Sequence, residues 1–201
     1  MSDDGAIIIR ANWKTADAVR MMRQLSAPKL NIALTKAVND SAVQVERKAE
    51  SLVAKTLSIP AKRAKLGIWI RPRATPQTLT ATVRGSASEI PLKAFHAKEV
   101  EGGVVARIWG SAVKHPGAFI FGGPDNNRNR DLGMGGHVFH RLGKTWTGKG
   151  KRGPIARARG GKISEAMAQD AVSTANERYA IERLQVNVLR QLDRATRRRG
   201  S

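Results

Sequence analysis

Residues 28–57 constrain this chain more than any other stretch. Leu30, Leu34, Val38, Ala42, Val45, Ala49 and Leu52 recur at steps of three or four. That spacing places them on one side of an α-helix. Lys36, Asp40, Gln44, Glu46, Arg47, Lys48 and Glu50 fill the rest. At about 1.5 Å per residue such a helix is roughly 45 Å long. Its apolar stripe is narrow and rich in alanine, so a sheet or another helix can approach closely. Pro28 suits a first helical turn, and Ile59-Pro60 ends the segment. A helix held by one stripe needs a partner layer, which the remaining residues must supply.

Most of that layer reads as strand. Ile7, Ile8 and Ile9 favour a short strand over 6–10, followed by an amphipathic helix over 15–25. After the long helix come short segments at 66–71, 78–84, 90–95, 103–109 and 117–121. The clearest is Thr78-Leu79-Thr80-Ala81-Thr82-Val83, with period-two alternation. Turns are expected at 73–77, 85–89 and 101–103. Strands this short and closely spaced point to antiparallel pairing rather than βαβ crossovers. Two more strands, around 136–142 and 153–158, flank a Gly/Lys-rich segment at 144–151. A hairpin with a long basic tip fits it, and so does a disordered loop.

Ser164 is an expected N-cap, with Glu165 in the first turn of a final helix running to about 198. Ile181, Leu184, Val188, Leu192 and Ala195 form its expected apolar stripe, with a break near 176–179. The 201 residues thus read as one α+β domain. Its parts are an extension (1–27), the long helix (28–57) and an antiparallel sheet (62–121). Basic glycine-rich loops or a hairpin (122–162) and the C-terminal helix (164–199) follow.

The formal net charge of +20 is segregated. Residues 60–98 carry +7 and residues 128–162 carry +9. In the second stretch Arg128, Arg130, Arg141, Lys144, Lys149, Lys151, Arg152, Arg157, Arg159 and Lys162 face only Asp131. Arg194, Arg197, Arg198 and Arg199 add the last +4. Everything else is balanced. Segregated charge points to surfaces that meet a polyanion or an acidic partner.

Catalytic residues are scarce. With no cysteine there is no disulfide and no thiolate site, which fits a reducing compartment. The run at 6–9 falls far short of the roughly 20 apolar residues that span a bilayer, so no membrane association is expected. The acidic start Met1-Ser2-Asp3-Asp4 argues against a signal or transit peptide. Gly143-Lys144-Thr145 ends like a phosphate loop, but Val138 stands where that loop needs glycine. His137 and His140 fall on opposite faces of a strand and do not read as a metal pair. Asp3-Asp4 and Glu99-x-Glu101 are the only close acidic pairs, too few for a two-metal nuclease. No enzyme and no cofactor is expected. With four Trp, four Phe and one Tyr, base stacking is poorly supplied. Any nucleic-acid contact should be sequence-independent and made through phosphates, which is the alternative reading of the chain.

One stretch carries a resemblance. His115-Pro116-Gly117-Ala118-Phe119-Ile120 precedes Gly136-His137-Val138-Phe139-His140-Arg141-Leu142-Gly143, then Arg152-Gly153-Pro154-Ile155 and Gly160-Gly161-Lys162-Ile163-Ser164. This order resembles the minor tail protein Z family of long-tailed bacteriophages and prophages. The chain differs at Lys162-Ile163, where that family has proline before the serine. Pro116, Gly117, Ala118, Phe119, Phe139, Arg141, Pro154 and Ile155 are the scaffold positions the resemblance marks. The resemblance implies a tail-completion-like structural protein of the virion, assembled in the cytoplasm of a bacterial host. It further implies a hexameric ring at the head-proximal end of the tail. Tail terminator, tail tube or tape-measure protein would be its partners, with phage DNA in the lumen as a non-specific contact. Lys144, Lys149, Lys151, Arg152, Arg128, Arg130, Arg197, Arg198 and Arg199 are the expected partner or phosphate contacts.

Overall fold

The long helix is the frame on which the other elements are laid. In the computed structural model, which describes residues 6–10, 16–121, 135–143, 146–147, 151–152 and 154–197, it is α2, Ala27–Leu57. It follows a short helix α1, Ala16–Arg23. Leu34, Val38, Ala42, Val45 and Ala49 of the expected stripe are buried and Leu30 and Leu52 are half-buried, while a second row formed by Ala33, Ala37, Ser41, Val53 and Leu57 is buried with them. The face is wider than periodicity indicated because α2 is covered from two sides. One cover is the C-terminal helix α5, Asp170–Arg197; the other is a β-sheet. Ser58 ends α2 in the left-handed region at φ 59°, and its N–H returns to the Lys55 carbonyl. The Ser58 hydroxyl then accepts the Gly110 N–H, which ties a distant hairpin to the helix end.

The sheet against α2 has the order β1-β3-β2, all antiparallel. These strands are β1 (Ala6–Arg10), β2 (Ile68–Ile70) and β3 (Thr80–Gly85). Ile7, Ile9, Ala81 and Val83 bury one face, as alternation predicts. A one-turn helix α3, Ala61–Lys65, joins α2 to β2 and was not expected. The expected strand at 90–95 is instead β4 (Glu89–Pro91) followed by a 3-10 turn over Leu92–Phe95.

Two further strands escaped the sequence reading. β5 (Lys98–Val100) and β7 (Ser111–Pro116) flank β6 (Gly103–Ile108) in an antiparallel sheet. The β6–β7 turn is Trp109-Gly110, both residues at positive φ (54° and 79°), the geometry that matches strand twist in a two-residue hairpin.

Near its end the chain forms β13 (Arg159–Lys162), paired with β4, then α4 (Ile163–Ala168) and α5. Gly160 lies flat on the Phe95 ring, where any β-carbon would collide. Lys162 rather than Ser164 is the N-cap of α4, and its N–H donates to Glu165 Oε2. Ser164 is already helical and buried. The helical break falls at Gln169, whose ψ is 134°, not at 176–179. Ile181 is 62% exposed and does not belong to the buried stripe of α5. Asn176, Asn187 and Gln191 are buried there instead.

Those polar residues lock the helix pair. Asn187 Nδ2 donates to Ser41 Oγ at 2.9 Å and to Gln44 Oε1 at 3.3 Å. Arg190 Nη2 and Gln191 Nε2 both donate to Asp40 Oδ2. Each bond joins residues more than 140 positions apart, so together they set the register of α5 on α2. The molecule is therefore α+β, with long helices packed on antiparallel sheets.

Candidate interaction surface

The segments at 115–121, 136–143 and 152–157 converge on one small sheet. Its order is β12-β9-β8, with β8 at Phe119–Phe121, β9 at His137–Arg141 and β12 at Ile155–Arg157. Gly117, at φ 69°, turns the chain out of β7, and its N–H donates to the Gly102 carbonyl. Ala118 is buried beside that turn, and Pro116 closes β7. Pro154 accepts the Leu142 N–H at 2.9 Å and closes the stem between β9 and β12. The partner of the Pro154-Ile155 segment is β9, since Ile155 pairs with Arg141.

Register sorts the side chains onto two faces. Phe119 pairs with Phe139 and Phe139 with Arg157, while Phe121 pairs with His137. These residues share one face with Arg141 and Ile155, because paired and alternate residues point the same way. Phe119 meets Phe121 edge-on at 6.2 Å between centroids and Phe139 at 6.3 Å. The Arg141 guanidinium lies 5.3 Å over the Phe119 ring, a cation–π contact. Val138 is fully buried on the opposite face, where His140 is exposed.

Positive charge crowds the edge of the aromatic face. Lys93 Nζ donates to the Gly135 carbonyl at 3.1 Å. Burial lowers the pKa of His137 below its ordinary value, and the charges of Lys93 and Arg157 lower it further. The His137 Nδ1 is buried without a hydrogen-bond partner among the described residues. Such a face can take an anion through its cations, and it holds no nucleophile–base pair. Among the described residues no cluster of His, Cys, Asp or Glu could hold a metal ion. No described helix is long and apolar enough to cross a membrane.

Between β9 and β12 in the chain, β10 (Trp146–Thr147) pairs antiparallel with β11 (Lys151–Arg152) as a separate two-stranded sheet. Lys151 and Arg152 are thus on a hairpin strand. Lys144, Lys149, Arg128, Arg130, Arg198 and Arg199 lie outside the described residues. Arg197 is placed far from the sheet, at the end of α5, with Nε 2.9 Å from Asp193 Oδ1.

Arg197 borders a second feature that charge segregation did not reveal. A groove of about 690 Å³ runs between the start of α2 and the end of α5, lined by Lys29, Ile32, Ala33, Lys36, Gln191, Arg194, Ala195 and Arg197. Lys29 and Lys36 lie outside the three basic stretches, in the remainder of the chain whose charges balance only in total, so charge segregation did not mark them. The legible signal was Ile32, an isoleucine on the polar side of an amphipathic helix, 48% exposed here.

Fold and surface together define an α+β protein with a small sheet that carries an aromatic face edged by cations. No protein-family model, no curated protein and no solved structure matches the chain.

Proposed function

We propose that this protein is a structural component of a phage tail, similar to tail-completion proteins of the minor tail protein Z type. In this reading it works as a ring at the head-proximal end, joining tube to terminator. One observation carries the reading. Three of the four segments on which the resemblance rests contribute the adjacent strands β8, β9 and β12 of one sheet, while the fourth, Gly160–Ser164, lies in β13 and α4. A scaffold of Phe119, Phe139, Arg141 and Ile155 displaying a basic hairpin suits contact with acidic tube or terminator surfaces. A ring needs heterologous contacts that close, and sixfold symmetry would match a tail tube.

The test is co-expression with the tube and terminator proteins of the same genome. Rings in electron micrographs, and the protein in purified virions, are the expected results. A strictly monomeric protein with those partners present, and virions that lack it, would end the proposal.

The cations around the aromatic face favour a second reading, a sequence-independent nucleic-acid contact. It predicts binding to duplex DNA that weakens steeply with salt, with log K falling by about 0.9 per phosphate neutralised. A salt slope near zero eliminates it.

A further inference from the structure

We infer that the groove between the start of α2 and the end of α5 is a docking site for an acidic amphipathic helix of a partner protein. The inference stands on the groove alone and does not depend on where the protein works.

The lining residues of α2 are Lys29, Ile32, Ala33 and Lys36, the i, i+3, i+4, i+7 face of the helix. That face is about 10 Å long, or two turns. From α5 come Gln191, Arg194, Ala195 and Arg197, with the Gln191 amide and the Arg197 guanidinium already held by Asp40 and Asp193. The floor is thus aliphatic and the rim cationic, and no carboxylate lines the groove. The two aspartates nearest in sequence to the lining are already engaged. Asp40 holds Arg190 and Gln191, and Asp193 holds Arg197. Lys29, Lys36 and Arg194 make no ion pair among the described residues.

What sets Ile32 apart is its setting: 48% exposed in a groove, with Lys29 and Lys36 on the same helix face and Arg194 opposite. A helix laid along the groove with leucines inward and glutamates outward covers the isoleucine and pairs the cations together. The charge pattern selects against basic helices, which the rim repels, and against purely apolar ones, which leave the rim unpaired. A DNA backbone would meet the cations but leave Ile32 and Ala33 without a partner, and so is disfavoured.

The test uses the full chain and a fluorescent, acetylated peptide of about five helical turns, leucine on one face and glutamate elsewhere. Binding is read by anisotropy at near-physiological salt. The expected result is saturable binding that the triple substitution K29E/K36E/R194E weakens by about tenfold or more. I32R should weaken it similarly, whereas K62E/R63E/K65E on α3 makes the same charge change elsewhere and should change it less than twofold. A peptide with lysine in place of glutamate should not bind. Equal loss in the α3 variant would reduce the effect to net charge and overturn the inference. So would a groove variant that binds like the parent. If I32R instead dissociates a self-associated form in sedimentation, the occupant is a second copy and the inference is wrong. Binding to phosphatidylglycerol vesicles that I32R removes, with no peptide binding, would likewise assign the groove to lipid and reject it.

Discussion

The α2–α5 helix pair and the β8–β9–β12 sheet solve opposite problems. The helices bury long stripes and place their polar groups against each other, as with Asn187 on Ser41 and Arg190 on Asp40. Along most of the contact polar groups meet partners, with Arg190 on Asp40 as the ion pair, and only the groove at its end leaves Lys29, Lys36 and Arg194 unpaired among the described residues. The sheet is built from strands of three to five residues held by ring contacts and one cation–π pair. Its cations have no ion-pair partner among the described residues, and burial, then Lys93 and Arg157, disfavour protonation of His137. A frame gains from internal matching. A display surface gains from charge left over for a partner, and carries self-repulsion until that partner arrives. The difference between the regions is therefore one of purpose, and it can be broken experimentally.

Phe95 gives the largest effect. It is fully buried in the turn between β4 and β5, beneath Gly160 of β13. Phe95→Ala should cost about 3–5 kcal/mol. Urea unfolding followed by both far-ultraviolet dichroism and tryptophan fluorescence checks it. Coincident transitions mean that frame and sheets unfold as one unit. A sheet transition that separates from the helical one would show the display surface folding on its own account, and the contrast would become one between independent parts.

The two buried asparagines of α5 come next, with opposite signs. Asn187→Ala removes the donor to Ser41 and Gln44 and should destabilise by about 1–3 kcal/mol. Asn176 is buried with neither amide atom paired among the described residues. Asn176→Leu should therefore stabilise, by about 1 kcal/mol, through removal of an unsatisfied polar group. Thermal melts of both variants decide the matter. Destabilisation by Asn176→Leu would mean that the frame uses this residue in a way its present contacts do not reveal.

These residues also mark what could be read from the chain. α2 was legible because its periodicity is local and is punctuated by Pro28 and Ser58-Ile59-Pro60. Asn176, Asn187 and Gln191 were not, because a polar residue is buried only when a distant partner or tight packing accepts it. The partners of Asn187 lie more than 140 positions away. β7 was missed because nearly all of it is exposed on both faces, which leaves no alternation to detect. The 3-10 turn at Leu92–Phe95 displaced an expected strand because Pro91 ends the β4 pairing. Phe119, Phe139, Arg141 and Ile155 fall in paired strands because the segments that carry them follow one another along the chain as β8, β9 and β12. The α2–α5 groove was invisible to charge counting, since Lys36 and Arg194 meet only through the fold.

The smallest effect is the pH response of His137, and it tests the display surface most directly. Burial first, then Lys93 and Arg157, lowers its pKa from 6.5 in the folded protein. The unfolded chain takes up the proton near that ordinary value, whereas the folded chain resists it. Stability from this residue is therefore complete above about pH 6.5 and erodes as pH falls toward the depressed folded value. His137→Gln should flatten the dependence of the urea midpoint between pH 7.5 and 5.5, a small change because the ring is partly solvated. Glu46, raised from 4.5 by burial and by Glu50, acts with the opposite sign as the pH drops and is common to both proteins. A polyanion that neutralises Lys93 and Arg157 should raise the His137 pKa, so binding should take up a proton and tighten as pH falls through 6.5. Parallel midpoint curves for parent and variant, together with pH-independent polyanion binding, would show that the leftover charge of the sheet does not act on this site.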